Sequence, residues 1–460
     1  MEIVQQIAEI ESRRRSATRS VDSGHRAEFG QFFTPQSTAI FMASLFDFNN
    51  GAIELLDPGA GVGSLTAAFA HAAHGRSIHA TCHEIDPQYH PALRETLRGL
   101  DNVEPDVRQG DFIEAAVCDA QTSHHARYTH VIANPPYRKI ATDSRERRLA
   151  AKLGLQTSNL YTAFLAGAIA QCAHGAQVVV IVPRSFMNGP YFKAFRYWLL
   201  DRVALARIHL FDRRDKAFAE DKVLQENVIL KVIVGARQGD VVVSSSADDR
   251  FTDLRLHCVP FSAIVTPGDD ELFIHVPSAQ GERAGSLEGH TLRQLEIDVC
   301  TGPVVDFRLR EHLRQEPQQD SVPLLYASHF HGGFAWPRDG RKPNAIEVNP
   351  QTRPWLMPNG CYVVTRRFTS KEEKRRIVAH VLPAEALPYA LVGFENHLNV
   401  FHHDRHGLPQ RLAHGLCAYL NSQRVDDYFR TFSGHTQVNA TDLRRLKYPS
   451  LAELEALADA

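Results

Sequence analysis

At 460 residues, 43% of them hydrophobic, the chain can fill two ordinary globular cores and is too apolar to stay disordered. A net charge of −2 excludes a uniformly basic nucleic-acid coat, though not a basic cleft on a neutral body. Seven scattered cysteines with no C-x-x-C pair, and no apolar run long enough for a bilayer or a signal segment, lead us to expect a cytoplasmic protein without a membrane anchor.

Residues 1–24 are charged, helical in tendency and carry no motif. Phe41, Met42, Leu45 and Phe46 follow Thr34-Pro35 at helical spacing and predict a core-facing stripe. Apolar runs at 53–57, 78–84, 130–133, 177–183, 205–211 and 227–234 predict strands. Helix-like stretches alternate with them, which argues a mostly parallel sheet with helices on both faces.

The first strand runs into Asp57-Pro58-Gly59-Ala60-Gly61-Val62-Gly63, and an Ala-rich helix pattern continues through about His74. Glycines let a backbone pass close to a ligand. The spacing G-x-G-x-G is not the dinucleotide fingerprint, and no Lys comes after it to make a phosphate loop. The second strand ends in Glu84, about 20 residues on, where an acid can accept hydrogen bonds from both ribose hydroxyls. Asp111 and Phe112 offer a carboxylate and a ring that suit an adenine amino group and an adenine face. Singly, these read equally well as a tight turn, a helix-capping acid and a core ring. Their order and spacing together argue for a site.

The run His130–Ala133 ends at Asn134-Pro135-Pro136-Tyr137. Two prolines stop a strand and stiffen the next few residues. They leave an amide, a carbonyl outside the ladder and an aromatic ring at the carboxyl end of a strand, where ligand sites of open α/β sheets gather. Residues 138–160 are polar and basic without strong periodicity, which reads as a loop over the site.

Taken in order, Gly30-Gln31-Phe32-Phe33-Thr34-Pro35, Asp57–Gly61, Glu84, Asp111-Phe112 and Asn134–Tyr137 resemble the gamma group of DNA N6-adenine methyltransferases of bacterial restriction–modification systems. The resemblance covers roughly residues 25–240, with a weaker likeness to the group's recognition domains in Tyr362–Phe368 and Ser433–Ala440. It implies an α/β fold: a Rossmann-like class I AdoMet-dependent methyltransferase sheet, followed by a C-terminal α+β target-recognition domain. It also implies S-adenosyl-L-methionine as methyl donor and double-stranded DNA as partner. We therefore expect a catalytic domain over 1–250, a linker or hinge over 251–290 and a recognition domain over 291–460. The hinge-like stretch is Ser278–Ser286.

On this resemblance Thr34 and Pro35 close over the methionine end of the cofactor, and Asp57, Gly59, Ala60, Gly61, Glu84, Asp111 and Phe112 hold it. Asn134 Oδ1 and the Pro135 carbonyl aim two acceptors at an adenine amine, Pro136 fixes them, and Tyr137 stacks on the flipped base. A second ring is expected at Phe218, which reads alternatively as a core residue, with Phe211 as the fallback. Arg366, Arg367, His435, Gln437 and Asn439 are equally base-reading groups or surface residues. A monomer on DNA is expected; the sequence leaves open whether a separately encoded restriction endonuclease accompanies it. No zinc site is, because His124-His125 and His402-His403 lack a second cluster at ligand spacing.

Other readings stay in view. Protein glutamine methyltransferases share NPPY but place their extra domain before the catalytic one, whereas here roughly 200 residues lie after it. RNA N6-adenine and cytosine N4 methylation use related chemistry. The E-x-K patterns at Glu220-Asp221-Lys222 and Glu372-Glu373-Lys374 would suit a nuclease but lack an upstream Pro-Asp. A catalytically silent DNA-binding subunit would transfer no label from labelled cofactor.

Overall fold

The buried apolar runs of the first half pair into one sheet. In the computed structural model, which describes residues 9–16, 33–48, 51–122, 127–212, 226–277, 287–370, 373–433 and 436–459, β1 (Ile53–Asp57) is flanked by β2 (Ile78–Glu84) and β4 (Tyr128–Ala133). β3 (Val103–Gln109) lies outside β2 and β5 (Cys172–Pro183) outside β4, and all five strands run parallel. β7 (Asn227–Val234) inserts antiparallel between β5 and β6 (Val203–Phe211). With β8 (Val241–Ser246) and β9 (Arg255–Val259) the order among the described residues is β3-β2-β1-β4-β5-β7-β6-β8-β9. From β1 the chain builds outward through β2 and β3, then returns to lay β4 on the other flank. The carboxyl ends of β1 and β4 therefore frame the crevice where an open α/β sheet binds its ligands.

Strand alternation sends neighbouring side chains to opposite faces, and each face has its own core. Leu55, Ile132 and Ile181 pack with Met42 and Phe69 on one face, under α1 (Gln36–Ala43) and α2 (Ser64–Ala72). Leu56, Val131 and Val180 pack with Phe112 and Leu165 on the other, under α4 (Phe112–Thr122) and α6 (Leu160–Ala170). Between them in sequence lie α3 (His90–Arg98) and α5 (Arg145–Lys152), and α7 (Lys193–Leu200) comes after α6. Full burial of each large side chain contributes about 1.5–3 kcal/mol. The expected stripe of Phe41, Met42, Leu45 and Phe46 is buried throughout, although α1 stops at Ala43 and its last two members lie beyond the helix.

Three stretches differ from expectation, each for a physical reason. β3 was not anticipated because it is an edge strand of exposed and half-buried residues that tolerates Pro105. The stretch 138–160, read as a loop, contains α5, which is capped by Ser144 Oγ accepting from the Arg147 N–H at 3.2 Å. Of its residues only Ala150 is buried, so it shows no apolar stripe. Residues 251–277, read as linker, carry β9 and a short helix, α8 (Phe261–Ile264), and bury Ile264, Val265, Ile274 and Val276 in the core beneath β5. Arg196, with no exposed surface, donates from Nε to the Glu271 carbonyl at 2.7 Å, and Ile274 N–H donates to the Met187 carbonyl at 2.9 Å. The chain divides into two compact units, Met1–Ala279 and Gln280–Ala460. The expected hinge, Ser278–Ser286, lies outside the described residues.

The second unit is α+β. Its described residues form one antiparallel sheet of β10 (Asp298–Thr301), β18 (Leu398–His402), β15 (Tyr362–Arg366) and β16 (Ala379–Leu382). A second, mixed sheet holds β11 (Leu313–Arg314), β13 (Ala345–Glu347), β12 (Ser321–Leu325), β17 (Leu391–Phe394) and β14 (Met357–Pro358). Leu325, Phe330, Tyr362, Phe394 and Val400 form a shared core. Among the described residues four α-helices accompany these sheets: α9 (Gln410–Leu420), α10 (Gln423–Phe432), α11 (Ala440–Arg445) and α12 (Leu451–Ala456). Among the described residues no helix is long and apolar enough to cross a membrane.

Candidate active site

The turn after β1 is shaped by its surroundings. Gly61 has φ +55°, and a Cβ built there would stand 2.9 Å from Phe33 Cε1. A side chain is thus excluded both by backbone conformation and by a ring. The Gly61 N–H donates to Glu84 Oε2 at 2.8 Å, and the Asp86 N–H donates to Glu84 Oε1 at 2.8 Å. The glycine turn and the end of β2 are therefore fastened to one carboxylate. Burial raises the Glu84 carboxyl above its ordinary range, opposed by those two hydrogen bonds.

Asp57 sits beneath the turn with no exposed surface, its Oδ2 accepting from Thr66 Oγ1 at 2.8 Å. Burial pushes its carboxyl up to about 7 against the hydrogen bonds from Thr66 and Gly59, and the nearby Glu84 charge adds to the rise. Asp57 thus ties the end of β1 to α2 from inside the fold. Asp111 does two things: its Oδ1 caps α4 by accepting from the Ile113 and Glu114 N–H groups at 2.8 and 3.3 Å, and its residue lines the same cavity as Glu84.

At the end of β4 the Asn134 side chain is held from both sides. Its Nδ2 donates to Thr34 Oγ1 at 3.0 Å. The Tyr137 hydroxyl shares its proton between Asn134 Oδ1 at 2.7 Å and the Ile181 carbonyl at 3.1 Å. Burial, with Tyr161 beside it, holds the Tyr137 phenol far above its ordinary pKa, so it stays a donor. Asn134 is therefore presented with its oxygen and nitrogen on defined partners. Pro135 is buried behind it.

A cavity of about 360 Å³ opens at the carboxyl ends of β1, β2 and β4. It brings together Gly59, Gly61, Glu84, Asp111, Phe112 and Asn134, with Pro136 at its edge. Asp57, Ala60, Thr34, Pro35, Pro135 and Tyr137 are not among its lining residues. Asp57 and Ala60 support the turn, the Ala60 N–H donating to the His83 carbonyl at 2.9 Å, and Thr34 reaches the site through Asn134. Pro35 is the N-cap residue of α1, immediately before Gln36. Phe218, with Gly30, Gln31 and Phe32, lies outside the described residues, while the fallback Phe211 is buried at 6% exposure. A second cavity of about 470 Å³, between α1 and α2, contains none of the motif residues.

Comparison with known proteins settles the family. Residues 83–218 match the family model of the Eco57I restriction-modification methylase. A Type II methyltransferase of Bacillus subtilis, M.BsuBI, is 48% identical over 447 residues, covering 93% of this chain and 88% of the relative. The chain belongs to the Type II restriction–modification methyltransferases. A second relative, M.PstI of Providencia stuartii, is 43% identical over 98% of this chain and 92% of its own. Among solved structures, the DrdV–DNA complex aligns with a TM-score of 0.57 at 12% identity, over 96% of this chain and 59% of that one.

In this methyltransferase several contributors had no role assigned from the sequence. Ile85, 45% exposed directly after Glu84, and half-buried Phe33 and Phe164 give the cavity its apolar walls. Arg138 and Glu146, paired at 2.7 Å, join the lining and tie α5 back to the residue after Tyr137. For Ile85 the legible signal was its place directly after the acid that ends β2. Nothing local marks Phe164, which arrives from α6 by tertiary packing.

Proposed function

We propose that the chain methylates the exocyclic N6 of an adenine flipped out of double-stranded DNA, at a specific sequence, with S-adenosyl-L-methionine as donor. The observation that carries this reading is the Asn134 amide, oriented by Thr34 and Tyr137, opening on the cavity of Gly61, Glu84 and Phe112. The cavity residues fit the cofactor by their chemistry. Glu84 offers carboxylate lone pairs to ribose hydroxyls, Ile85 and Phe112 offer apolar faces to a purine, and Asp111 offers an acceptor to its amino group. Bound there, the sulfonium supplies an electrophilic methyl.

The chain's own residues act on the amine. Adenine N6 is a poor nucleophile because its lone pair is delocalised into the ring. Acceptance of its two N–H bonds by Asn134 Oδ1 and the Pro135 carbonyl localises that lone pair on nitrogen. The prolines set both acceptors before the substrate arrives, so little reorganisation remains for the transition state. Orientation of this kind is worth on the order of 7–11 kcal/mol. The surplus proton leaves after transfer, so no strong base is needed. Tyr137 packs against the extruded base, and a further ring is expected from Phe218. The partner is a DNA duplex bound by a monomer, and the second unit supplies target recognition. Seven free thiols suit a reducing cytoplasm.

The test is incubation with radiolabelled S-adenosyl-L-methionine and adenine-unmethylated DNA, then nucleoside analysis. N6-methyladenine at one recurring motif is the expected result, and label on RNA or protein would replace the substrate assignment. Asn134→Ala should lose most methyl transfer, a hundredfold or more, while still binding cofactor; an active variant would refute its role. Glu84→Ala should weaken cofactor affinity selectively.

A further inference from the structure

Four loops of the second unit converge on one edge. The Val304 N–H donates to the Phe394 carbonyl and the Asn396 N–H to the Val304 carbonyl, both at 3.0 Å, joining 304–308 to 395–397. The Arg367 N–H donates to the His397 carbonyl at 2.9 Å, the Val438 N–H to the Arg367 carbonyl at 2.8 Å and the Thr369 N–H to the Thr436 carbonyl at 2.9 Å, adding 366–369 and 436–438. The scaffold beneath is firm. Thr369 Oγ1 donates to the carbonyl of buried Arg376 at 2.6 Å, and the Arg376 N–H donates to Asp426 of α10 at 2.6 Å.

On this edge two large apolar side chains face outward, Phe307 at 58% and Phe368 at 39% exposure. The Phe368 ring lies 5.1 Å from the His397 ring. Guanidinium groups flank both phenylalanines, Arg308 at 5.6 Å from Phe307 and Arg367 at 5.9 Å from Phe368. The acids nearby are already engaged: Asp306 with Lys342 at 2.7 Å, Glu373 with Arg366 at 3.0 Å, and Glu395 with His397. Among the described residues no carboxylate pairs with Arg308, Arg367, Lys374 or Arg375. Exposed phenylalanines set among cations that no described carboxylate neutralises, on a chain whose net charge is −2, suit a polyanion with apolar faces between its charges. Phe and Arg also suit a protein interface; the lysine without a described carboxylate partner and the excess of positive charge, with the DNA reading above, favour the polyanion.

We propose that this edge is a DNA-contacting wedge, in which Phe307 and Phe368 press into base steps while Arg308, Arg367, Lys374 and Arg375 neutralise flanking phosphates. It rests on the DNA reading above and adds the surface that engages the duplex. Apolar wedges unstack base steps, and each neutralised phosphate releases counterions. The two groups of residues therefore have separable signatures.

The test uses the full chain and a duplex fragment of adenine-unmethylated DNA that the wild-type protein labels with tritiated methyl. Binding is measured against salt for Phe307→Ala, Phe368→Ala, Arg308→Gln and Lys374→Gln. The phenylalanine variants should bind about tenfold more weakly with an unchanged salt slope. Each cation variant should reduce that slope by about 1. Cofactor affinity and Tm should match wild type in all four, since every replaced side chain is solvent-facing. Wild-type affinity in both phenylalanine variants, or wild-type slopes in both cation variants, overturns the wedge while leaving methylation intact. A wild-type protein that neither binds nor labels DNA overturns the underlying reading and the wedge with it.

Discussion

Asn134 serves the proposed reaction only if its oxygen, rather than its amino group, meets the adenine amine. A primary amide is nearly symmetric in shape, so its partners must choose the orientation. Thr34 Oγ1 takes the Nδ2 hydrogen at 3.0 Å and Tyr137 points its hydroxyl at Oδ1. Thr34→Val keeps the shape and removes that acceptor, a hydrogen bond worth about 0.5–1.5 kcal/mol. The orientation then loses one of its two supports. The expected outcome is a 10- to 100-fold fall in kcat, about 1.4–2.7 kcal/mol, with KM for the cofactor little changed. Thr34→Ser should restore most of the rate, because the hydroxyl returns. A Thr34→Val enzyme that loses cofactor affinity but keeps kcat would return Thr34 to the cofactor-closing role that its motif suggests.

The turn joining β1 to α2 shows at the level of elements how tightly backbone and site are linked. Gly61→Ala forces a left-handed φ on a residue with a Cβ, at about 1–2 kcal/mol, and drives that Cβ toward Phe33. The Phe33 ring and the Gly61–Glu84 hydrogen bond must both shift. Urea unfolding should show a loss of about 1–2 kcal/mol, and equilibrium dialysis a weaker cofactor; an unchanged midpoint and affinity would mean that the turn relaxes freely. Elements that meet solvent on neither face were the readable ones. β1, β2 and β7 are buried along most of their length, and their ends coincide with the runs expected at 53–57, 78–84 and 227–234. Exposed elements were not readable. β3 and α5 present polar residues to water, and 251–277 fold back through short apolar pieces whose burial depends on partners distant in sequence, such as Arg196 on Glu271. The site followed the same rule: glycine spacing, the acid ending β2 and NPPY were local signals, whereas Phe164 and the Thr34–Asn134 contact, 100 residues apart, exist only in the fold.

For the whole molecule, buried titratable groups set how stability answers pH. In the first unit burial pushes His83, His130 and His275 down to about 4 and His209 to about 3, from an ordinary 6.5. These side chains stay neutral when folded and take up protons when unfolded below 6.5. Their contribution is complete above pH 6.5 and is lost as pH falls toward 4. Asp57 has the opposite sign. Its folded value of about 7 lies above the ordinary 3.8, so the folded state holds a proton between those limits and stability declines as pH rises through them. Glu84 is shifted in the same direction. Four histidines outweigh these two carboxylates between pH 4 and 6.5, and each net proton is worth about 1.4 kcal/mol per pH unit. Urea midpoints should therefore fall on acidification from pH 6.5 to 5 and rise only slightly from 6.5 to 7.5, where the unfolded-state histidines finish losing their protons and ionisation of Asp57 opposes them. Asp57→Asn keeps an acceptor for Thr66 and removes the opposing proton. It should steepen the acid limb and enlarge the small rise above 6.5. A midpoint that holds or rises on acidification would show that these histidines protonate without unfolding their surroundings.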